Sequence, residues 1–185
     1  VLYSNKLTAL PESLGQLAQL QSLNFSNNQL TALPSFIKQL VNLTVLNIGD
    51  NPFDKSIEII GSLHQLKELY CFKINVPLPK TIGELKNLER LSIMQNKLEL
   101  LPEFVCELSN LNWLWLFDNQ LTELTSSISQ LKNLKEISLH KNKLTDIPSS
   151  LVYLEHLEKL SLDDNPLNPA LQSAYKQGLV ALKAY

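Results

Sequence analysis

The sequence predicts an α/β solenoid: a right-handed curved ribbon with a parallel β-sheet on its concave face, extended or 3₁₀ segments on its convex side and a capping helix at its C-terminal end. Three observations predict it. The spacing Leu20-x-x-Leu23-x-Phe25-x-x-Asn28-x-Leu30 returns at Leu43 to Phe53, Leu88 to Leu98, Leu111 to Leu121, Leu134 to Leu144 and Leu157 to Leu167. The asparagines Asn5, Asn28, Asn51, Asn96, Asn119, Asn142 and Asn165 follow one another at 23 residues, apart from the 45 between Asn51 and Asn96. That interval holds one degenerate repeat: Leu66-x-x-Leu69-x-Cys71 keeps the core spacing, Ile74 replaces the asparagine, and one residue is missing before Leu78-Pro79. Within each repeat the apolar residues alternate, as in Leu23/Phe25, Leu46/Ile48, Leu91/Ile93, Leu114/Leu116, Ile137/Leu139 and Leu160/Leu162. A repeat of this length buries its apolar face only by stacking on its neighbours.

The alternation has the period of a strand, so each repeat supplies one short strand with one face in the core and one outside. Identical connections make neighbouring strands parallel, about 4.8 Å apart. The asparagine after each strand sits where the chain turns inward, and its amide can both donate to and accept from buried backbone groups. Ile74 breaks that ladder; Asn75 is a possible substitute. Leu10-Pro11, Leu33-Pro34, Leu101-Pro102 and Ile147-Pro148 follow the turns, and proline discourages a second strand. The return path is too short for a long helix, which leaves extended or 3₁₀ segments. From Asn168 the repeat stops. Asn168-Pro169, then Leu171, Tyr175, Leu179 and Leu182, read as an N-cap, an N1 proline and one amphipathic helix that covers the open end of the array. Residues 1–167 are therefore the solenoid, about eight frames with the first partial, and 168–185 the cap. Val1 enters halfway through a strand, which reads the chain as a piece of a longer protein.

Composition narrows the function classes. A hydrophobic fraction of 44% in 185 residues supports a continuous core, and the formal charge of -2 with scattered Lys and Arg gives no basic field for nucleic acid. No apolar run is long enough to span a membrane, and the first residues lack the pattern of a secretory signal. Cys71 takes a core position, whereas Cys106 aligns with Lys38 and is expected to be partly exposed. Their spacing suits no metal site, their different frames and directions argue against a disulfide, and no terminal cysteine cluster closes the array, which together favour a reducing, cytoplasmic compartment. No cofactor and no small-molecule substrate is expected.

The string Leu-Pro-x-x-Ile/Leu-x-x-Leu-x-x-Leu-x-x-Leu-x-Leu-x-x-Asn-x-Leu, carried by Leu33 to Leu46 and Leu101 to Leu121, resembles the Ras-group class of intracellular leucine-rich repeats. The likeness runs from Val1 to about Leu167 and is more specific for fold than for function. The ending Asn165-Pro166-Leu167-Asn168-Pro169-Ala170-Leu171 through Leu182 is similar to the junction after such repeats in bacterial Roco proteins, where a Ras-like GTPase domain follows. That resemblance implies a repeat arm. The chain itself has no G-x-x-x-x-G-K-[ST] loop and so lacks that means of binding GTP.

Listing the outward strand positions by register gives an uneven surface. Tyr70, Phe72, Met94, Trp113, Trp115 and Phe117 fall on three adjacent strands, with Arg90 and His140 among the polar residues at their rim. Both tryptophans of the chain thus lie on the concave side, expected to be exposed. A contiguous apolar patch of this kind marks a binding surface, and Trp and Tyr commonly anchor interfaces; the alternative is that the aromatic side chains only brace neighbouring strands. His140 is expected beside Asp163 as an exposed ion pair, without the nucleophile or pocket a catalytic centre needs. The sequence thus describes a non-catalytic module, whose partner is a protein or another domain of the same polypeptide. A secreted host-binding protein would need an export signal upstream of Val1.

Overall fold

A computed structural model describes residues 2–185; Val1 lies outside the described residues. Among the described residues, seven three-residue strands form one parallel sheet in chain order: β1 (Ser22–Asn24), β2 (Val45–Asn47), β3 (Glu68–Tyr70), β4 (Arg90–Ser92), β5 (Trp113–Trp115), β6 (Glu136–Ser138) and β7 (Lys159–Ser161). The pairing keeps one register throughout, Leu23 on Leu46, Leu69, Leu91, Leu114, Ile137 and Leu160. The first frame joins the ladder without becoming a strand. Its Ser4 and Asn5 N–H groups donate to Ser26 and Asn27 carbonyls.

Among the described residues, seven 3₁₀ segments form the convex side, each a single five-residue stretch such as Ser35–Gln39 or Glu103–Glu107. In five of them proline is the N-cap, with extended backbone that stops the preceding segment and starts the turn. Core leucines and isoleucines from both sides meet between the layers; Leu46, Leu91, Leu114, Ile82, Val105 and Ile128 are fully buried. Cys71 is fully buried as expected, but so is Cys106, contrary to the alignment with Lys38. Lys38 and Cys106 both have small residues at their position in the adjoining frames, so the difference lies in the side chain: the short apolar thiol packs into the turn, whereas the lysine ammonium reaches water. Burial pushes the Cys106 pKa up to about 12, with Glu103 and Glu107 adding to the effect, and burial alone raises that of Cys71 further.

Two ladders of asparagine tie the frames together. On the inward turn Asn28, Asn51, Asn119 and Asn142 are buried. Each donates to its own frame and to the one before: Asn142 Nδ2 reaches Leu139 O at 2.8 Å and Leu116 O at 3.1 Å, while its Oδ1 accepts from Leu121 N at 3.0 Å. On the return side, Asn42, Asn87, Asn110 and Asn133 donate at 2.7–2.9 Å to Ala18, His64, Lys86 and Ser109 carbonyls of the preceding frame. The residue before each inward asparagine has positive φ, from 53° at Asp50 to 58° at Gln95, and Lys73 before Ile74 keeps the same conformation at 49°.

Ile74 leaves a gap that Asn75 does not fill, since Asn75 is exposed and Ile74 itself is buried in the ladder position. The gap is tolerated because the flanking carbonyls keep their other donor: Ile48 O accepts from Asn51, and Cys71 O from Asn96. Phe53 N, which would have met the missing amide, donates instead to Asn51 O at 2.9 Å. Leu167 N does the same to Asn165 O at the last frame, where the ladder ends.

The cap is two helices rather than the single one expected: α1 (Pro169–Gln177) and α2 (Leu179–Ala184). Gly178 between them has φ 100° and ψ -178°, a conformation open to glycine that breaks the helical path. Asn168 Oδ1 accepts from Leu171 N at 2.9 Å, the predicted N-cap bond. Leu171, Ala174 and Leu182 are buried, and Tyr175 completes the sheet. In the preceding frames the equivalent of Leu162 N donates to the next strand, as Leu139 N does to Ser161 O; Leu162 N donates to the Tyr175 hydroxyl at 3.1 Å.

Candidate functional site

The outward residues of the sheet form three rows. Register alone places Glu68, Arg90, Trp113, Glu136 and Lys159 in the first row and Tyr70, Ser92, Trp115, Ser138 and Ser161 in the second. The third, just past the strands, runs through Gly49, Phe72, Met94, Phe117, His140 and Asp163.

In the second row the small side chain of Ser92, 1% exposed, lies between two large ones. Tyr70 and Trp115 lean across it and stack, ring centroids 6.1 Å apart at 26°. Each ring is then held by a carboxylate of the first row. The Tyr70 hydroxyl donates to Glu68 Oε2 at 2.6 Å and Trp115 Nε1 to Glu136 Oε1 at 3.2 Å. Partial burial, then the bond to Glu68, pushes the Tyr70 pKa up to about 12, so the phenol stays a neutral donor.

The same carboxylates hold the cations of their row. Arg90 Nη1 donates to Glu68 Oε1 at 3.1 Å, and its guanidinium lies 4.4 Å from the Trp113 ring centroid. Lys159 Nζ is 3.4 Å from Glu136 Oε1. In the third row Phe72 lies over Gly49, where a Cβ would come within 2.4 Å of the ring. Phe117 stacks on His140 at 4.4 Å and 12°. Contacts of these kinds contribute roughly 0.5–1.5 kcal/mol each.

All eight residues anticipated from sequence, Tyr70, Phe72, Arg90, Met94, Trp113, Trp115, Phe117 and His140, lie in these rows, but they are half-buried against one another rather than exposed. The exposed large apolar side chains are elsewhere: Tyr3, Leu17, Val41, Leu100, Val152, Tyr153, Val180 and Tyr185. The expected His140–Asp163 pair is not formed. His140 Nδ1 lies 2.9 Å from Ser138 Oγ, and Asp163 Oδ2 accepts from the Tyr175 hydroxyl at 2.8 Å, because the cap helix reaches the last strand from the other side. Sequence reasoning also missed Ser92 and Gly49 as floors for the rings and Glu136 as the partner of Trp115. The signal was available in the register, which sets each small residue beside a large one.

Among the described residues, no group of three or more His, Cys, Asp or Glu is placed to hold a metal ion, and no helix is long and apolar enough to cross a membrane.

Two family models match the chain: "Leucine Rich repeats (2 copies)" over residues 18–59 and "Leucine rich repeat" over residues 110–167, together more than half of its length. Among solved structures, a leucine-rich-repeat protein of Leptospira interrogans aligns with a TM-score of 0.78 and 35% identity over 97% of this chain. Internalin C2 of Listeria monocytogenes aligns at 0.77 and 26% identity, covering 90% of this chain and 71% of its own. A TDR receptor aligns at 0.73 and 31% identity, covering 85% of this chain and 29% of the receptor. The chain spans about half (52%) of the Leptospira protein. No curated protein sequence matches it.

Proposed function

As the chain belongs to the leucine-rich-repeat family, we propose that it is a non-catalytic protein-binding module whose concave face engages a protein partner, or another domain of the same polypeptide, through Tyr70, Phe72, Arg90, Met94, Trp113, Trp115, Phe117 and His140. The observation that carries this reading is the braced state of the patch. Tyr70, Trp113 and Trp115 are each fixed by a ring stack, a cation or a hydrogen bond before any partner arrives. Side chains already ordered lose little entropy on binding, and central aromatic anchors carry most interface energy. Strand bracing alone would not require both tryptophans of the chain to stand on one strand of the outer face.

Differential capture tests the proposal. Immobilised native chain and immobilised W113A/W115A chain are exposed to the same extract; a protein retained by the first and lost from the second is the expected result, and identical retention profiles contradict it.

Two free, buried thiols, Cys71 and Cys106, support a reducing and hence cytoplasmic setting. A second reading makes the chain the repeat arm of a Roco-type GTPase. It rests on the capped junction at Asn168, whose sequence resembles that of Roco proteins. A phosphate-binding loop encoded downstream of Tyr185 supports it, and its lack in the complete gene contradicts it.

A further inference from the structure

We infer that the cleft beside the irregular repeat is a second binding site, one that takes an extended peptide segment through its backbone. The missing residue before Leu78 leaves the turn 74–78 short. Between it and the turn 95–99 lies a cleft of about 430 Å³, lined by Ile74, Val76, Pro77 and Leu78 on one wall and Gln95 to Glu99 on the other.

What distinguishes this cleft is that, among the described residues, no backbone hydrogen bond joins its two turns. Elsewhere on this edge the frames are tied: Gln29 N donates to Leu7 O, Asp54 N to Thr31 O, Gln120 N to Leu98 O, Thr122 N to Glu99 O, Lys143 N to Leu121 O and Asn168 N to Thr145 O. Ile74 still bridges to Asn51 through the neighbouring Asn75 N–H, but among the described residues the N–H groups of Val76 and Leu78 and the carbonyls of Asn75 to Leu78 have no protein partner. Across the cleft the N–H groups of Lys97 and Glu99, equivalent by register to Gln120 and Thr122, are unpaired as well. Lys97 also has φ 58°, a second left-handed residue after Gln95 that no other frame contains among the described residues.

Donors on one wall, acceptors on the other and apolar side chains between them are the requirements of an extended peptide that adds itself to an open edge. A small-molecule ligand would want an enclosed pocket with convergent polar side chains, whereas this cleft is open and its polar groups are mainly backbone. The site is independent of the concave rows, so it stands or falls apart from the function proposed above.

The probe is a displayed library of linear nonapeptides, selected on the native chain and counter-selected on I74N with one threonine inserted after Val76, which restores the 23-residue period. A second variant, Asn75→Trp, crowds the cleft from an exposed position if the first fails to fold. Peptides are expected that bind the native chain, lose at least tenfold in affinity on N75W, and bind W113A/W115A unchanged. In the free protein the Lys97 and Glu99 amides should exchange with solvent much faster than Gln120 and Thr122. Selection of no peptide that discriminates the variants, or slow exchange at Lys97 and Glu99, overturns the inference.

Discussion

Asn119 shows what one ladder residue supports. Its Nδ2 donates to Ile93 O at 3.0 Å and Leu116 O at 2.9 Å, and its Oδ1 accepts from both Asn96 N and Leu98 N. Asn119→Ala leaves two donors without a partner and should cost about 2–4 kcal/mol in urea unfolding, given roughly 1–3 kcal/mol for each unsatisfied buried group. A loss below 1 kcal/mol would show that water replaces the amide. The sequence announced this role through spacing alone, yet it could not say that each carbonyl has two donors, which is why it left Ile74 unresolved. Tyr70 gives a pH signature. A phenol whose folded pKa of about 12 exceeds the ordinary tyrosine value of 10.0 stabilises the fold below pH 10 and loses that contribution as pH rises from 10 through 12. The urea midpoint should therefore fall more steeply between pH 9 and pH 11.5 for the native chain than for Tyr70→Phe; parallel declines would mean the hydroxyl is not held by Glu68.

At the scale of elements, the strands were readable because period-two alternation inside a fixed 23-residue spacing has one geometric solution. The cap was harder. Leucines at 171, 179 and 182 fit one amphipathic helix, and only the backbone at Gly178 reveals two. Equally, nothing in helical periodicity shows that Tyr175 ends the sheet. Its hydroxyl accepts from Leu162 N and donates to Asp163 Oδ2, replacing the strand that would come next. Tyr175→Phe should destabilise the C-terminal frame by about 1–2 kcal/mol and accelerate amide exchange at Leu162 while leaving Leu116 and Ile93 protected. Unchanged protection at Leu162 would assign the cap to apolar burial of Leu171 and Leu182 alone.

Across the whole molecule, stacking makes a surface that no single repeat encodes. Glu68, Arg90, Trp113, Trp115 and Glu136 are far apart in sequence but share two rows, so that one carboxylate serves both a ring and a cation. Position along the rows was legible; exposure was not, because burial here depends on how neighbouring side chains lean over Ser92 and Gly49. Preorganisation is thus the property on which the functional account depends. The most direct test is a calorimetric titration of the captured partner against the native chain, W113A/W115A and the convex-face control Tyr153→Ala. The account predicts native affinity for the control and a loss of about 30-fold or more for W113A/W115A, in line with about 2 kcal/mol or more for central anchors, with its helix and sheet signal unchanged. Affinity within twofold of native for a folded W113A/W115A chain would contradict it.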